Sequence, residues 1–227
     1  MTPEQLTGKA TSHLTEVMVG NKEFLLHPAV KDDLLALRQA ALDAGYNFHI
    51  ASGFRDFERQ RVIWNNKMAG QAAILDADSQ PLDPATLSER DKVFAILRWS
   101  ALPGGSRHHW GGEFDVYDRD ALPSGTSLKL EPWEYFDGHQ SGFYQWLKSN
   151  LSGFGFFFPY ADDLGGVAIE PWHISHVSTA QQCQQQLSCE LLRNQLQTER
   201  ILGADVIFEQ LETIYNRYIT NISQVTL

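Results

Sequence analysis

The run Ser106-Arg107-His108-His109-Trp110-Gly111-Gly112-Glu113-Phe114-Asp115 restricts what this chain can become more than any other stretch. It reads Ser-x-His-x-x-Gly-x-x-x-Asp, and Glu170-Pro171-Trp172-His173 follows further along. His108 and Asp115 are too far apart to meet on one regular element, so the chain must fold back between them. Gly111 and Gly112 accept dihedrals that a residue with a Cβ resists. The segment after them, Phe114 to Asp118, alternates apolar and polar as a half-buried strand does. Pro171 disfavours helix at Glu170 and holds it extended, leading into a second strand from His173 to Val177.

Two imidazoles and a carboxylate are a common ligand set for a hydrolytic zinc site with one position left open to water. His108, Asp115 and His173 would supply it, with one zinc per chain. Glu170, three residues before His173, is a spare carboxylate placed to act as base. A lone histidine is more often a surface or satisfied core residue, and this chain has eight; the combination of residues in both stretches carries the reading. His49 lies out of phase with the apolar face of its strand and is expected exposed and unliganded. His176 is three residues from His173, hence on the opposite strand face.

The 227 residues suffice for one large domain, or one domain with an appendage. A net charge of −10 argues against a nucleic-acid surface. No apolar run is long enough to span a membrane. Met1 to Gln5 lacks the basic start and apolar stretch of a signal peptide; as written the chain is expected in the cytoplasm, or in the periplasm if it lacks its export segment or leaves by another route. Cys183 and Cys189 have neither a zinc-binding spacing nor a need to pair in a chain this size, so two free thiols are expected.

Helices are predicted over 29–44, 57–68, from Thr86 or Ser88 to 101, and over 143–151. Strands are predicted at 46–51, 114–118 and 173–177, with shorter ones at 128–130 and within 153–160. Residues 1–23 are expected as a short helix and a loop, and 71–85 as a loop. Beyond Ser178, Leu187, Leu191, Leu192 and Leu196, then Val206, Ile207, Leu211 and Ile214, recur near helical spacing. They predict a helical hairpin packed on the rest, or a self-association surface. The residues alone imply mixed α and β structure with short strands. The divisions are an N-terminal extension over 1–26, a metal-binding domain over 27–178 and a helical appendage over 179–227.

With these motifs the sequence resembles the VanY-type D-Ala-D-Ala carboxypeptidases, within the group that includes lysostaphin-type peptidases, D-Ala-D-Ala metallopeptidases and the hedgehog signalling domain. Those proteins show Ser-x-His-x-x-Gly-x-Ala-x-Asp, Glu-x-x-His and an upstream Ser-Gly-Tyr-Arg, which here is Ser52-Gly53-Phe54-Arg55. The resemblance implies an α+β domain with a small, mainly antiparallel sheet flanked by helices, followed here by C-terminal helices. It implies a zinc peptidase that removes the terminal D-Ala of a peptidoglycan-derived peptide. Arg55 would stabilise the oxyanion, Ser106 would hold the substrate carboxylate and Gln60 would point toward the cleft. A D-Ala-D-Ala dipeptidase or a wall endopeptidase of the same chemistry is the nearest alternative, and a non-catalytic zinc-containing binding module the more distant one. Glu113 departs from the pattern, which has a small residue there. On a strand it would share a face with Asp115, and would either crowd the metal or be turned away by the backbone.

Overall fold

In the computed structural model, which describes residues 1–224, the chain builds an α+β fold around a four-stranded antiparallel sheet. The order along the chain is α1 (Pro3–Leu6), β1 (Thr15–Val19), β2 (Lys22–Leu26), α2 (Lys31–Asp43), β3 (Phe48–Ser52) and α3 (Phe57–Met68). Then come β4 (Ile74–Leu75), β5 (Pro81–Leu82), α4 (Glu89–Leu97), β6 (Glu113–Asp118), α5 (Pro132–Phe136), α6 (Ser141–Asn150), β7 (Phe156–Phe157) and β8 (His173–His176). The C-terminal part holds α7 (Val177–Gln186), α8 (Cys189–Leu196), α9 (Ala204–Glu209), α10 (Leu211–Ile214) and a π-helical turn over Tyr215–Ile219. The last three residues of the expected C-terminal segment, 225–227, lie outside the described residues.

The sheet order is β3-β6-β8-β7, with every pairing antiparallel. Its register places the site. Asp115 stands opposite His173 on one side and Ser52 on the other, and Glu113 stands opposite Ser175. A bulge between Ile50 and Ser52 re-aims the end of β3 toward the site.

One apolar core lies between the sheet, α2, α6 and the β1–β2 hairpin, and includes Leu34, Leu37, Phe48, Phe114 and Ile174. A second joins α3 and α4 to the C-terminal helices through Trp64, Val93, Leu97, Leu192, Leu196, Ile207 and Leu211. The leucine and isoleucine stripe beyond Ser178 is thus buried against this same chain. Ser88 and Ser188 cap α4 and α8 by accepting from backbone N–H groups three residues on.

Several expectations from local pattern change in the fold. Residues 15–26 form a hairpin, not a helix and loop. Val17 and Val19 point inward, and Gly20, at φ +69°, begins the two-residue Gly20-Asn21 turn. No strand forms at 128–130, because Leu130 sits at φ +57°. Within 153–160 only Phe156–Phe157 pairs. Residues 74–82 carry the short ribbon β4–β5. The expected C-terminal hairpin is a series of short helices, broken at Leu187, which is extended, and at Gly203, at φ +78°. Among the described residues no helix is long and apolar enough to cross a membrane. Neither Cys183 nor Cys189 is bonded, and burial pushes the Cys183 thiol up to about 12.

Candidate metal centre

The folding back that the sequence requires occurs at Gly111. Its φ is +71°, and a Cβ there would stand 2.8 Å from the backbone nitrogen of His27 and collide with Leu14. The space is taken because His27 N–H donates to the Gly111 carbonyl at 2.9 Å. The short helical turn Arg107–Trp110 before it presents His108, and β6 after it presents Asp115. β8 brings His173 alongside. His108, Asp115 and His173 each offer a ligand atom, all within 4.8 Å of one another, and all three side chains are buried.

The ring nitrogens are assigned by what surrounds them. His108 Nδ1 faces the Gly53 carbonyl at 2.9 Å, so that nitrogen carries the proton and Nε2 faces the centre, 3.4 Å from Asp115 Oδ2. His173 is turned the other way round. Its Nε2 faces Glu113 Oε2 at 2.9 Å, leaving Nδ1 3.2 Å from Asp115 Oδ1. Ligand atoms at about 2.0–2.2 Å from a tetrahedral zinc lie roughly 3.3–3.5 Å apart, and both histidine–aspartate separations are close to that spacing.

The electrostatics favour a cation here as well. Burial by itself would raise the Asp115 carboxyl, but the His108 and His173 rings outweigh it and hold Asp115 well below the usual carboxylate range. Burial opposes a charge on His173, yet its bonds to Asp115 and Glu113 push the imidazole up to about 10. The Asp115 and Glu113 carboxylates thus favour a second proton on the His173 ring. A divalent cation satisfies the same negative field without that proton.

Glu113 neither crowds this centre nor turns away. It shares the face of Asp115, as the strand period requires, but reaches the far nitrogen of His173. Its other oxygen accepts from Ser175 Oγ at 2.7 Å and pairs with Arg107 Nη2 at 3.1 Å. Arg107 is 2 % exposed, lies over the Trp110 ring, and donates to Ser175 and to Gln184 of α7. The clue in the sequence was an acidic residue two positions from Asp115 on a strand with an arginine six residues earlier; the pairing itself is not readable from spacing.

Glu170 is at the centre, with Oε2 3.5 Å from His173 Nδ1. Burial, reinforced by Asp115, raises its carboxyl to about 7 against the opposing pull of His173, Arg55 and Lys67. Arg55 enters from the end of β3. Nη1 donates to Gln60 Oε1 at 2.8 Å, Nη2 donates to Ser52 Oγ at 3.0 Å, and Nη2 stands 4.0 Å from Asp115. The position of Gln60 corrects the sequence expectation. It is fully buried and does not line the cleft; its amide is used inside the protein, accepting from Arg55 and donating to the Ala101 carbonyl. Ser106 lines the cleft. So does Tyr160, whose ring packs 5.2 Å from that of His173 and which the sequence did not single out. The cleft encloses about 340 Å³. His176 faces the other way, onto Asp33 and Thr179, and His49 packs on Tyr117 away from the centre.

Known proteins resemble this chain in sequence and in fold. A protein of Haemophilus influenzae described only as uncharacterized is 43% identical over 124 residues, 52% of this chain and 92% of that protein. The structure of VanYB in complex with D-Alanine-D-Alanine superposes with a TM-score of 0.51 at 24% identity, over 82% of this chain and 90% of that one. The vancomycin resistance D,D-pentapeptidase VanY in complex with Zn(II) superposes with a TM-score of 0.50, also at 24% identity, over 82% and 93%. At that distance the two structures speak to the fold. The family model of VanY, D-alanyl-D-alanine carboxypeptidase, matches residues 23–179, a span that holds every residue of the centre; the chain belongs to that family.

Proposed function

We propose that the protein is a zinc-dependent D-alanyl-D-alanine carboxypeptidase that releases the terminal D-Ala from a cell-wall peptide. The observation that carries this is the buried His108, Asp115 and His173 set with Glu170 beside it. Three protein ligands leave a position open, and the adjacent carboxylate is not needed to complete the set. A carboxyl raised to about 7 is suited to accept and return a proton near neutral pH. Family membership and the Zn(II)-bound VanY structure support both the metal and the reaction class.

Zinc held by His108, Asp115 and His173, one ion per chain, would supply Lewis acidity and a water acidified to near neutral pH. Glu170 takes the proton from the attacking water as its oxygen bonds to the peptide carbonyl carbon. It returns that proton to the amine as the C–N bond breaks and D-Ala leaves. Arg55, fixed by Gln60 and Ser52, directs its guanidinium at the negative charge that develops on the carbonyl oxygen. Ser106 holds the carboxylate of the departing residue, and Tyr160 and Trp172 wall the cleft.

Mass spectrometry of the products from a pentapeptide ending in D-Ala-D-Ala, and from free D-Ala-D-Ala, tests the reading. The expected result is tetrapeptide plus D-Ala, with the free dipeptide spared. Cleavage of the dipeptide alone would assign a dipeptidase, internal cuts an endopeptidase, and intact peptides with zinc bound a binding module.

A further inference from the structure

A second groove, of about 1040 Å³, adjoins the cleft of the metal centre, and Lys129 and Leu130 line both. The walls of this groove are the β1–β2 turn, strand β3 and the loop over residues 119–130. Among the described residues four cations face it, Lys22, Arg38, Arg119 and Lys129, and no aspartate or glutamate lines it. That is unexpected in a chain with 28 acidic and 18 basic residues. Among the described residues none of the four is in an ion pair. Arg38 Nε is shielded from solvent and has no hydrogen-bond partner. Gly20 leaves room for that guanidinium, since an added Cβ would stand 3.2 Å from Arg38 Nη2. The nearby carboxylates of Asp118 and Asp120 are engaged elsewhere, both accepting from Asn47.

A groove lined by one sign of charge concentrates ligands of the other. Phe48 to Ala51 of β3 line it, and β3 is an edge of the sheet. An edge strand is suited to an extended chain lying alongside. His49 and Tyr117, with ring centroids 5.7 Å apart, add an aromatic surface. We propose that this groove holds a carboxylate-bearing stretch of the peptide substrate on the N-terminal side of the hydrolysed bond. The proposal rests on the carboxypeptidase reading. When a single residue leaves from the C-terminus, surface that adjoins the cleft on the other side of the hydrolysed bond receives the rest of the peptide.

The test uses two peptides that both end in D-Ala-D-Ala and carry either glutamates or glutamines upstream. KM and kcat are measured for the zinc-loaded protein and for a Lys22→Glu, Arg119→Glu variant, both positions being exposed. Binding of the same peptides to Glu170→Gln protein, with and without the two charge reversals, is measured by calorimetry at low salt. The glutamate peptide is expected to bind on the order of tenfold more tightly, the effect of a couple of exposed ion pairs. The preference should appear in KM rather than kcat, fade as salt is raised and disappear in the charge-reversed protein. Equal affinity for the two peptides, or a preference that survives the reversal, overturns the proposal. If neither peptide is hydrolysed, the carboxypeptidase reading fails on its own, and the calorimetric preference still decides whether the groove takes acidic peptide.

Discussion

Glu113 accepts a hydrogen bond from His173 Nε2 at 2.9 Å, and this bond decides which nitrogen of His173 faces the metal centre. Carboxylate partners of this kind orient a metal-binding imidazole and raise its basicity, and losing one typically lowers metal affinity about 10–100-fold. Glu113→Gln should therefore weaken zinc binding by that factor in competition with a chelator, while His108→Ala, His173→Ala protein should hold no zinc. The Arg107 pair makes the replacement costly to the fold, because a buried charge is left unmatched. A thermal melt accompanies the titration, and a folded Glu113→Gln protein with undiminished zinc affinity would remove this role.

Glu170→Gln keeps the size and hydrogen bonding of the side chain but cannot take a proton. It should fold, retain zinc and bind a D-Ala-D-Ala-terminated peptide, with turnover reduced about 10²–10⁴-fold as is usual for loss of a general base. Product release followed by mass spectrometry, with metal content measured on the same sample, checks this. Loss of zinc would make Glu170 a ligand, and near-normal turnover would move the base elsewhere.

Arg55 is held by Gln60 and Ser52 in a fork that lysine cannot reproduce. Arg55→Lys should lower kcat on the order of 10²-fold if the guanidinium stabilises the oxyanion. Gln60→Ala should act in the same direction and less strongly, since it frees the guanidinium without removing it. Steady-state kinetics separate the cases, because a change confined to KM would mean that Arg55 binds ground state and transition state equally.

His13 has both ring nitrogens shielded from solvent, and burial lowers its pKa to about 4 against the opposing pull of the His109 backbone. The unfolded chain takes up this proton near pH 6.5, and the folded chain only near 4. The contribution of His13 to stability is thus fully present above pH 6.5 and is lost as pH falls toward about 4. Melting temperatures across that window should decline in the wild-type protein, and more shallowly in His13→Phe. Parallel curves for the two proteins would show that His13 does not contribute.

Local pattern was enough to single out His108, Asp115, His173 and Glu170, because each is tied to a backbone feature that short-range chemistry dictates. Gly111 must reverse the chain, the alternation after it must be a strand, and Pro171 must keep Glu170 extended. The helices α2, α3, α4 and α6 were legible for the same reason, from apolar periodicity and stop signals. The β1–β2 hairpin was hidden because only two inward valines mark its first strand, although the Gly20-Asn21 turn was there to be read.

What only the tertiary structure decided is the direction in which groups point. Gln60 turns into the protein because the Ala101 carbonyl, 41 residues away, and the Arg55 guanidinium take both ends of its amide. His108 presents Nε2 because the Gly53 carbonyl takes Nδ1, and His173 presents Nδ1 because Glu113 takes Nε2. The C-terminal helices are joined to this centre through Gln184 and Arg107, a contact across 77 residues. Hydrogen bonds between distant segments leave no period in a sequence, and they exist only once burial makes an unpaired polar group too costly to leave.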